Sequence, residues 1–428
     1  MGMRAQTGAL AACVVIATAV VAAQSTLRDG NVDAKTQDGT MDLGAIGNAL
    51  NLQAQEVAAL SLAALAVLVS AGGKIDGGGV IDVIYVFALQ LGPTEAIALT
   101  TATIFGGTIV DLIANIKRSK RIMPGPLIDW QLMLIMQPML LMGAAFGSSI
   151  GSIFPTWLIL AALIGYIGYT GAKAAKKAVK TGRQERWRCC GGRETMTLLG
   201  APGSTFQNED AYVSYTASIP WRKVGMNAGV FLGSVLLTAL QGGALFRSPL
   251  GIPPTSFFFI FVTMLPFIFL SVVSHYLMRD VVVTYQHQQN PRYILSQQEV
   301  QWSPNSIRTF PLKSLGAGAV TGIFGVSGVV VSGPLLRDIG VGPASATAMA
   351  STAAFFSTGQ AAFNYLLWGK LNLRLARVAL PLSLIVTVIG RFLLMPLVRK
   401  LRIRTALFLL MALLLLGSFV PFGLLRFV

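Results

Sequence analysis

The chain has 428 residues, of which 54% are hydrophobic and only 12% charged, against about 25% charged residues in a soluble domain. That excludes a water-facing globular surface of this size, and the high hydrophobicity excludes a disordered chain. The formal net charge of +16 does not point to nucleic acid, because no basic face with interleaved aromatics is large enough to hold a strand. The basic residues gather instead at 117–121, 173–193 and 399–404, between apolar runs, as at the cytoplasmic ends of membrane helices.

Residues 1–23 have a basic start at Arg4, a short apolar core and small residues before Gln24. This is the grammar of a signal peptide cut after Ala23, with an uncleaved first helix as the alternative. Residues 24–55 are polar, with Asp29, Asp33, Asp38 and Asp42, and read as a non-cytoplasmic segment. Apolar segments of spanning length, about 20 residues each, follow at 56–72, 96–116, 131–153, 157–171, 224–245, 255–277, 344–368, 378–398 and 403–425. Two shorter apolar segments, 80–91 and 329–340, are each preceded by a glycine break, Gly77-Gly78-Gly79 and Gly325-Val326-Ser327-Gly328.

The two broken regions align without a gap at an offset of 250 residues. Gly78 falls on Gly328, Gly92-Pro93 on Gly342-Pro343, Ala96 on Ala346, Phe105 on Phe355 and Thr108 on Thr358. With loops 117–121 and 173–193 in the cytosol, the second hairpin starts from the side opposite to the first. The expected fold is therefore an all-α, polytopic integral membrane protein with two inverted repeats containing glycine-broken half-helices. The expected division is repeat 1 at 56–173, a basic cytosolic loop at 174–222, linking helices at 223–279, a cytosolic segment at 280–312 and repeat 2 at 313–428. Residues 280–311 suggest a small strand-rich lobe. Cys189 and Cys190 in the basic loop are read either as reduced cytosolic thiols or as palmitoylation sites.

Several stretches resemble the sulfite exporter TauE/SafE family, particularly its eukaryotic branch. The most specific is Gly325-Val326-Ser327-Gly328-Val329-Val330-Val331-Ser332-Gly333-Pro334-Leu335-Leu336, followed by Phe363-Asn364-Tyr365-Leu366-Leu367-Trp368-Gly369. Pro126-Leu127-Ile128-Asp129-Trp130, Gln137-Pro138-Met139 and Ile219-Pro220-Trp221-Arg222-Lys223 add to it. The sequence departs from the family pattern where Lys74 and Asp76 enter the first glycine run and Asp82 follows it. The resemblance implies a carrier of small sulfur oxyanions or organosulfonates, built from two related halves.

A glycine break at the start of a half-helix leaves backbone N–H groups that lipid cannot satisfy. The helix N-terminus adds about half a positive charge, so the break suits an anion. The expected substrate-binding residues are Gly77, Gly78, Gly79, Thr100, Thr103, Ser327, Gly328, Ser351, Thr352, Gln360, Asn364 and Arg391. Thr100, Thr103, Gly107 and Asp111 share one helical face by spacing, and Gln360 and Asn364 each bring two amide donors. Arg391 lies within an apolar run, where insertion costs about 2.5–3.5 kcal/mol, so it should face a cavity or an acid, with snorkelling as the alternative. Asp111 is read either as a proton-coupling carboxylate or as a helix-end partner of Lys117 or Arg118.

These readings give a multi-pass carrier, in the plasma membrane or an endomembrane, that moves a small sulfite-like anion by alternating access. A non-transporting receptor or scaffold and an anion channel are the alternatives. No ATP-binding signature occurs, no cofactor or metal site is called for, and the membrane part lacks paired acids or a histidine cluster for enzymatic chemistry. Besides the anion, the expected partner is membrane lipid, and the sequence leaves a homo-oligomer open.

Overall fold

The computed structural model describes residues 54–73, 77–116, 118, 126–155, 157–166, 168, 169, 171, 172, 220–243, 257–288, 302 and 304–394. The expected signal peptide, the cysteine pair and the basic loop up to residue 219 lie outside the described residues, as do Lys117 and Arg399. The described regular structure is helical. In chain order it consists of α1 (Ala54–Gly73), α2 (Gly78–Ala88), α3 (Pro93–Ile116), α4 (Trp130–Ile153) and α5 (Trp157–Tyr166). Then come α6 (Trp221–Gln241), α7 (Phe257–Gln288), α8 (Pro304–Phe324), α9 (Val329–Asp338), α10 (Pro343–Leu367) and α11 (Leu373–Ile389). A π-helical turn, Gly390–Leu394, continues α11.

Among the described residues, five helices are long and apolar enough to cross a membrane: Pro93–Ile116, Trp130–Ile153, Trp221–Gln241, Phe261–Val283 and Leu373–Leu394. The chain is a polytopic, all-α membrane protein. Helices α6 and α7 leave large apolar side chains outward, among them Leu232, Leu236, Phe258, Phe261 and Ile268. In water such a surface would aggregate; against acyl chains it is the matched face.

Helix starts follow local chemistry. Asp129 caps α4 by accepting from the Gln131 and Leu132 amides at 3.0 and 3.2 Å. Asn372 caps α11 by accepting from the Arg374 and Leu375 amides at 3.1 and 3.4 Å. Helices α3 and α10 open on Pro93 and Pro343, whose fixed φ suits a first helical position. Helix, break, short helix and long helix recur: they begin at residues 54, 78 and 93, and again at 304, 329 and 343. This is the sequence offset of 250, held to within one residue. Phe105 and Phe355, equivalent by that offset, stack with ring centroids 5.3 Å apart.

The tightest crossing is α4 against α8. A methyl group on Gly318 would stand 2.0 Å from the Leu140 carbonyl oxygen, and one on Gly143 2.0 Å from that of Leu315. Lipid supplies no hydrophobic drive between helices, so close backbone contact through small residues holds such a pair.

The expected strand-rich lobe at 280–311 is corrected at its two ends, 280–288 and 304–311, which are helical, while residues 289–301 and 303 lie outside the described residues. Helix α7 runs on to Gln288 and α8 begins at Pro304, leaving no described strand between them. The 32 residues of α7 reach about 48 Å, beyond a hydrocarbon core of about 30 Å. Its polar end, Gln286-His287-Gln288, is the protruding part of a helix.

Candidate functional site

A cavity of about 120 Å³ lies among α1, α3, α10, α11 and the two glycine breaks. A single water needs only about 10–15 Å³ by the same measure, so the space takes a small ion with some water. Gly77, Gly78 and Ile81 line it from the first break, and Ser327 and Val329 from the second. The two breaks touch: a Cβ on Gly78 would come within 3.0 Å of the Val326 Cα. Gly325 turns the second break with φ +62°, a conformation that favours glycine.

Neither short helix has a side chain capping its N-terminus; Gly77 and Gly328 are the N-cap residues of α2 and α9. Intrahelical bonding resumes only with Val80 and Ile81 donating to Gly77 O, and with Val331 and Ser332 donating to Gly328 O. The first amides of a helix have no partner within it, and here two such ends border one cavity.

Arg391 supplies the cation. Its side chain is 7% exposed and lines the cavity from the π-turn, a distortion frequent at functional sites. One guanidinium nitrogen donates to Asp111 Oδ1 and the other terminal nitrogen to Asn115 Oδ1, both on α3. Arg391 is thus held inward against an acid, and the snorkelling alternative does not apply. Asp111, for which Lys117 or Arg118 was the expected helix-end partner, pairs with Arg391, 280 residues away; Lys117 lies outside the described residues. Arg118 also borders the cavity.

The other expected residues divide. Thr103 and Ser351 line the cavity, but each hydroxyl donates to a carbonyl one turn back: Thr103 to Leu99 O at 2.8 Å and Ser351 to Thr347 O at 3.1 Å. Thr103 Oγ1 also lies 3.0 Å from the buried Tyr85 hydroxyl. Gly79 and Gly328 are buried beside the cavity residues without lining it. Thr100 and Thr352 are fully buried and away from the cavity, Thr352 donating to Ala348 O at 3.0 Å.

Gln360 and Asn364 lie elsewhere, in a polar network between α10, α4 and α6. Ser234 donates to Gln360 Oε1 at 2.9 Å, and Gln360 Nε2 donates to Thr238 Oγ1 at 3.2 Å. Asn364 Nδ2 donates to Ala145 O at 3.1 Å and to Ser148 Oγ at 2.9 Å. Their amide donors tie helices together, which is the ordinary use of such groups in a membrane.

Sequence reasoning missed Ser70, Asn115, Thr347 and Thr387 in the cavity wall. Two of these carried a usable signal. Asn115 is one turn beyond Asp111 on the same face, and Thr387 one turn before Arg391. Ser70 and Thr347 carried none, because their positions depend on how α1 and α10 pack.

The family model described as "Sulfite exporter TauE/SafE" matches residues 211–418. Sulfite exporter TauE/SafE family protein 5 of Arabidopsis thaliana is 26% identical over 76% of this chain and 72% of its own length. Family protein 1 of the same plant is 25% identical over 73% and 71%, and family protein 2 is 24% identical over 80% and 76%. No solved structure matches. On these matches the chain is similar to proteins of the sulfite exporter TauE/SafE family.

Proposed function

We propose that the chain is a secondary membrane carrier for a small sulfur oxyanion or organosulfonate, sulfite foremost, and that the cavity between the glycine breaks is its binding site. The supporting observation is the convergence, on one small cavity, of two helix N-termini that lack a side-chain cap and the buried guanidinium of Arg391. All three favour negative charge. The relatives are named sulfite exporters, which supports a sulfur oxyanion as substrate. Because the cavity hydroxyls of Thr103 and Ser351 already donate to backbone carbonyls, backbone amides, Ser327 and Arg391 carry the recognition.

The recurrence of helix starts at one offset and the Phe105–Phe355 stack support two related repeats. The placement of the basic loops supports their inversion. Rocking of one repeat against the other about a fixed site gives alternating access.

Reconstitution into liposomes with sulfite, thiosulfate, sulfate and taurine offered in parallel tests this reading. The expected result is saturable flux of at least one of them. Flux that never saturates assigns the protein to the channels. The absence of both flux and binding assigns it to the receptors or scaffolds.

A further inference from the structure

Both terminal nitrogens of Arg391 are occupied by α3, one by the Asp111 carboxylate and one by the Asn115 amide oxygen. The guanidinium is the buried partner, with 7% of its side chain exposed, whereas Asp111 keeps 32%. Both line the cavity. A negative ion entering this space therefore meets Arg391 already neutralised by a carboxylate.

We propose that Asp111 is a resident counter-anion: the transported anion displaces it from Arg391, and the displaced carboxylate takes up a proton, so that anion and proton move together. This rests on the transport reading above. The charges lining the cavity support it. The Arg391–Asp111 pair is neutral. Adding a doubly charged oxyanion leaves three negative charges against the two positive ones of Arg391 and Arg118, a net negative charge that one proton cancels. One proton on Asp111 removes the repulsion between the displaced carboxylate and the anion.

The groups facing Asp111 support the assignment. Arg391 comes from the π-turn, Asn115 from its own helix and Arg118 from the segment after α3. Helices α1 and α10 and the second break contribute Ser70, Thr347 and Ser327, none of which titrates near neutral pH. Among the described lining residues, Asp111 is the only carboxylate. The π-turn begins at Gly390, so Arg391 stands where the regular helical ladder is already interrupted.

The test is equilibrium binding of radiolabelled thiosulfate and sulfate to the purified full chain, from mildly acidic to mildly alkaline pH. Both ions keep their charge over that range, unlike sulfite. The unmodified protein should bind about tenfold more tightly for each unit fall in pH at the alkaline end, as one linked proton requires. Asp111→Asn mimics the protonated acid. It should lose the pH dependence and, at alkaline pH, bind at least about tenfold more tightly than the unmodified protein. Asp111→Ser, smaller and neutral, should behave alike if the asparagine variant folds poorly. Arg391→Gln placed in the Asp111→Asn background should lose binding, while the pair, now uncharged on both sides, stays folded.

If the unmodified protein binds none of thiosulfate, sulfate, sulfite and taurine at any pH, the transport reading falls and this inference with it. If it binds but without pH dependence, or if both neutral variants bind no more tightly at alkaline pH, displacement of Asp111 is overturned while the carrier stands.

Discussion

Val326 stands where a side chain on Gly78 would have to go. A Cβ at position 78 would lie 3.0 Å from the Val326 Cα and 3.2 Å from its Cγ2. The two residues are 248 positions apart, and their contact lets the two glycine breaks border one cavity.

Gly78→Val should therefore separate the breaks and lower anion affinity by at least about tenfold, equivalent to some 1.4 kcal/mol, with helical content kept. Gly328→Val should act in the same direction, since its Cβ would meet Thr321 Oγ1 at 2.8 Å and the Ala317 carbonyl oxygen at 3.3 Å. The reference substitution is Gly229→Val, because nothing lies within 4 Å of a Cβ there. Gly243, outside the repeats by sequence, is unsuitable: its Cβ would meet Leu367 O at 2.1 Å. Titration of the purified variants with labelled sulfite reads the difference.

Arg391→Ala should weaken both the fold and the site. It leaves Asp111 and Asn115 facing each other without the cation, and breaking a buried pair costs about 3–5 kcal/mol, less here because Asp111 is partly exposed. Arg374→Ala removes the partner of Glu56 at an exposed position, where Arg374 is 53% exposed; such pairs are worth about 0–1 kcal/mol. Thermal unfolding in detergent should show a clear drop for the first and almost none for the second.

Asn364→Ala should separate structural from binding roles. It removes hydrogen bonds to Ala145 O and Ser148 Oγ, and interhelical bonds of this kind average about 0.6 kcal/mol. Stability should fall modestly and anion affinity per folded molecule should not change. Ser327→Ala should do the opposite, because Ser327 lines the cavity. Parallel melting and binding curves check both.

The α4–α8 crossing predicts a contrast within one helix. Gly318→Val should prevent folding, since even a methyl would sit 2.0 Å from Leu140 O, whereas Gly316→Val meets nothing within 4 Å and should be tolerated. The yield of monodisperse protein after extraction distinguishes them.

What could be read in the sequence was what repeats or punctuates. Gly92-Pro93 and Gly342-Pro343 mark the starts of α3 and α10, and the glycine breaks mark those of α2 and α9, because these residues act through local backbone chemistry. The partners of Arg391 could not be read, because Asp111 lies 280 residues away and the pairing depends on how α3 packs against α11. Gln360 and Asn364 offered suitable donors but face α4 and α6; the rotation of α10 that turns Ser351 inward is a tertiary outcome. The stretch beginning at Asp280 misled because its polar residues signal departure from lipid, which a long helix achieves as well as a strand-rich lobe does.

The most direct test of the central claim is an experimental structure of the full chain in lipid nanodiscs with sulfite or thiosulfate present. The account predicts anion density between Gly77–Gly78 and Ser327–Val329, within hydrogen-bonding reach of Arg391. Anion density at another place, or an unoccupied cavity under conditions where the same preparation binds the anion, would contradict it.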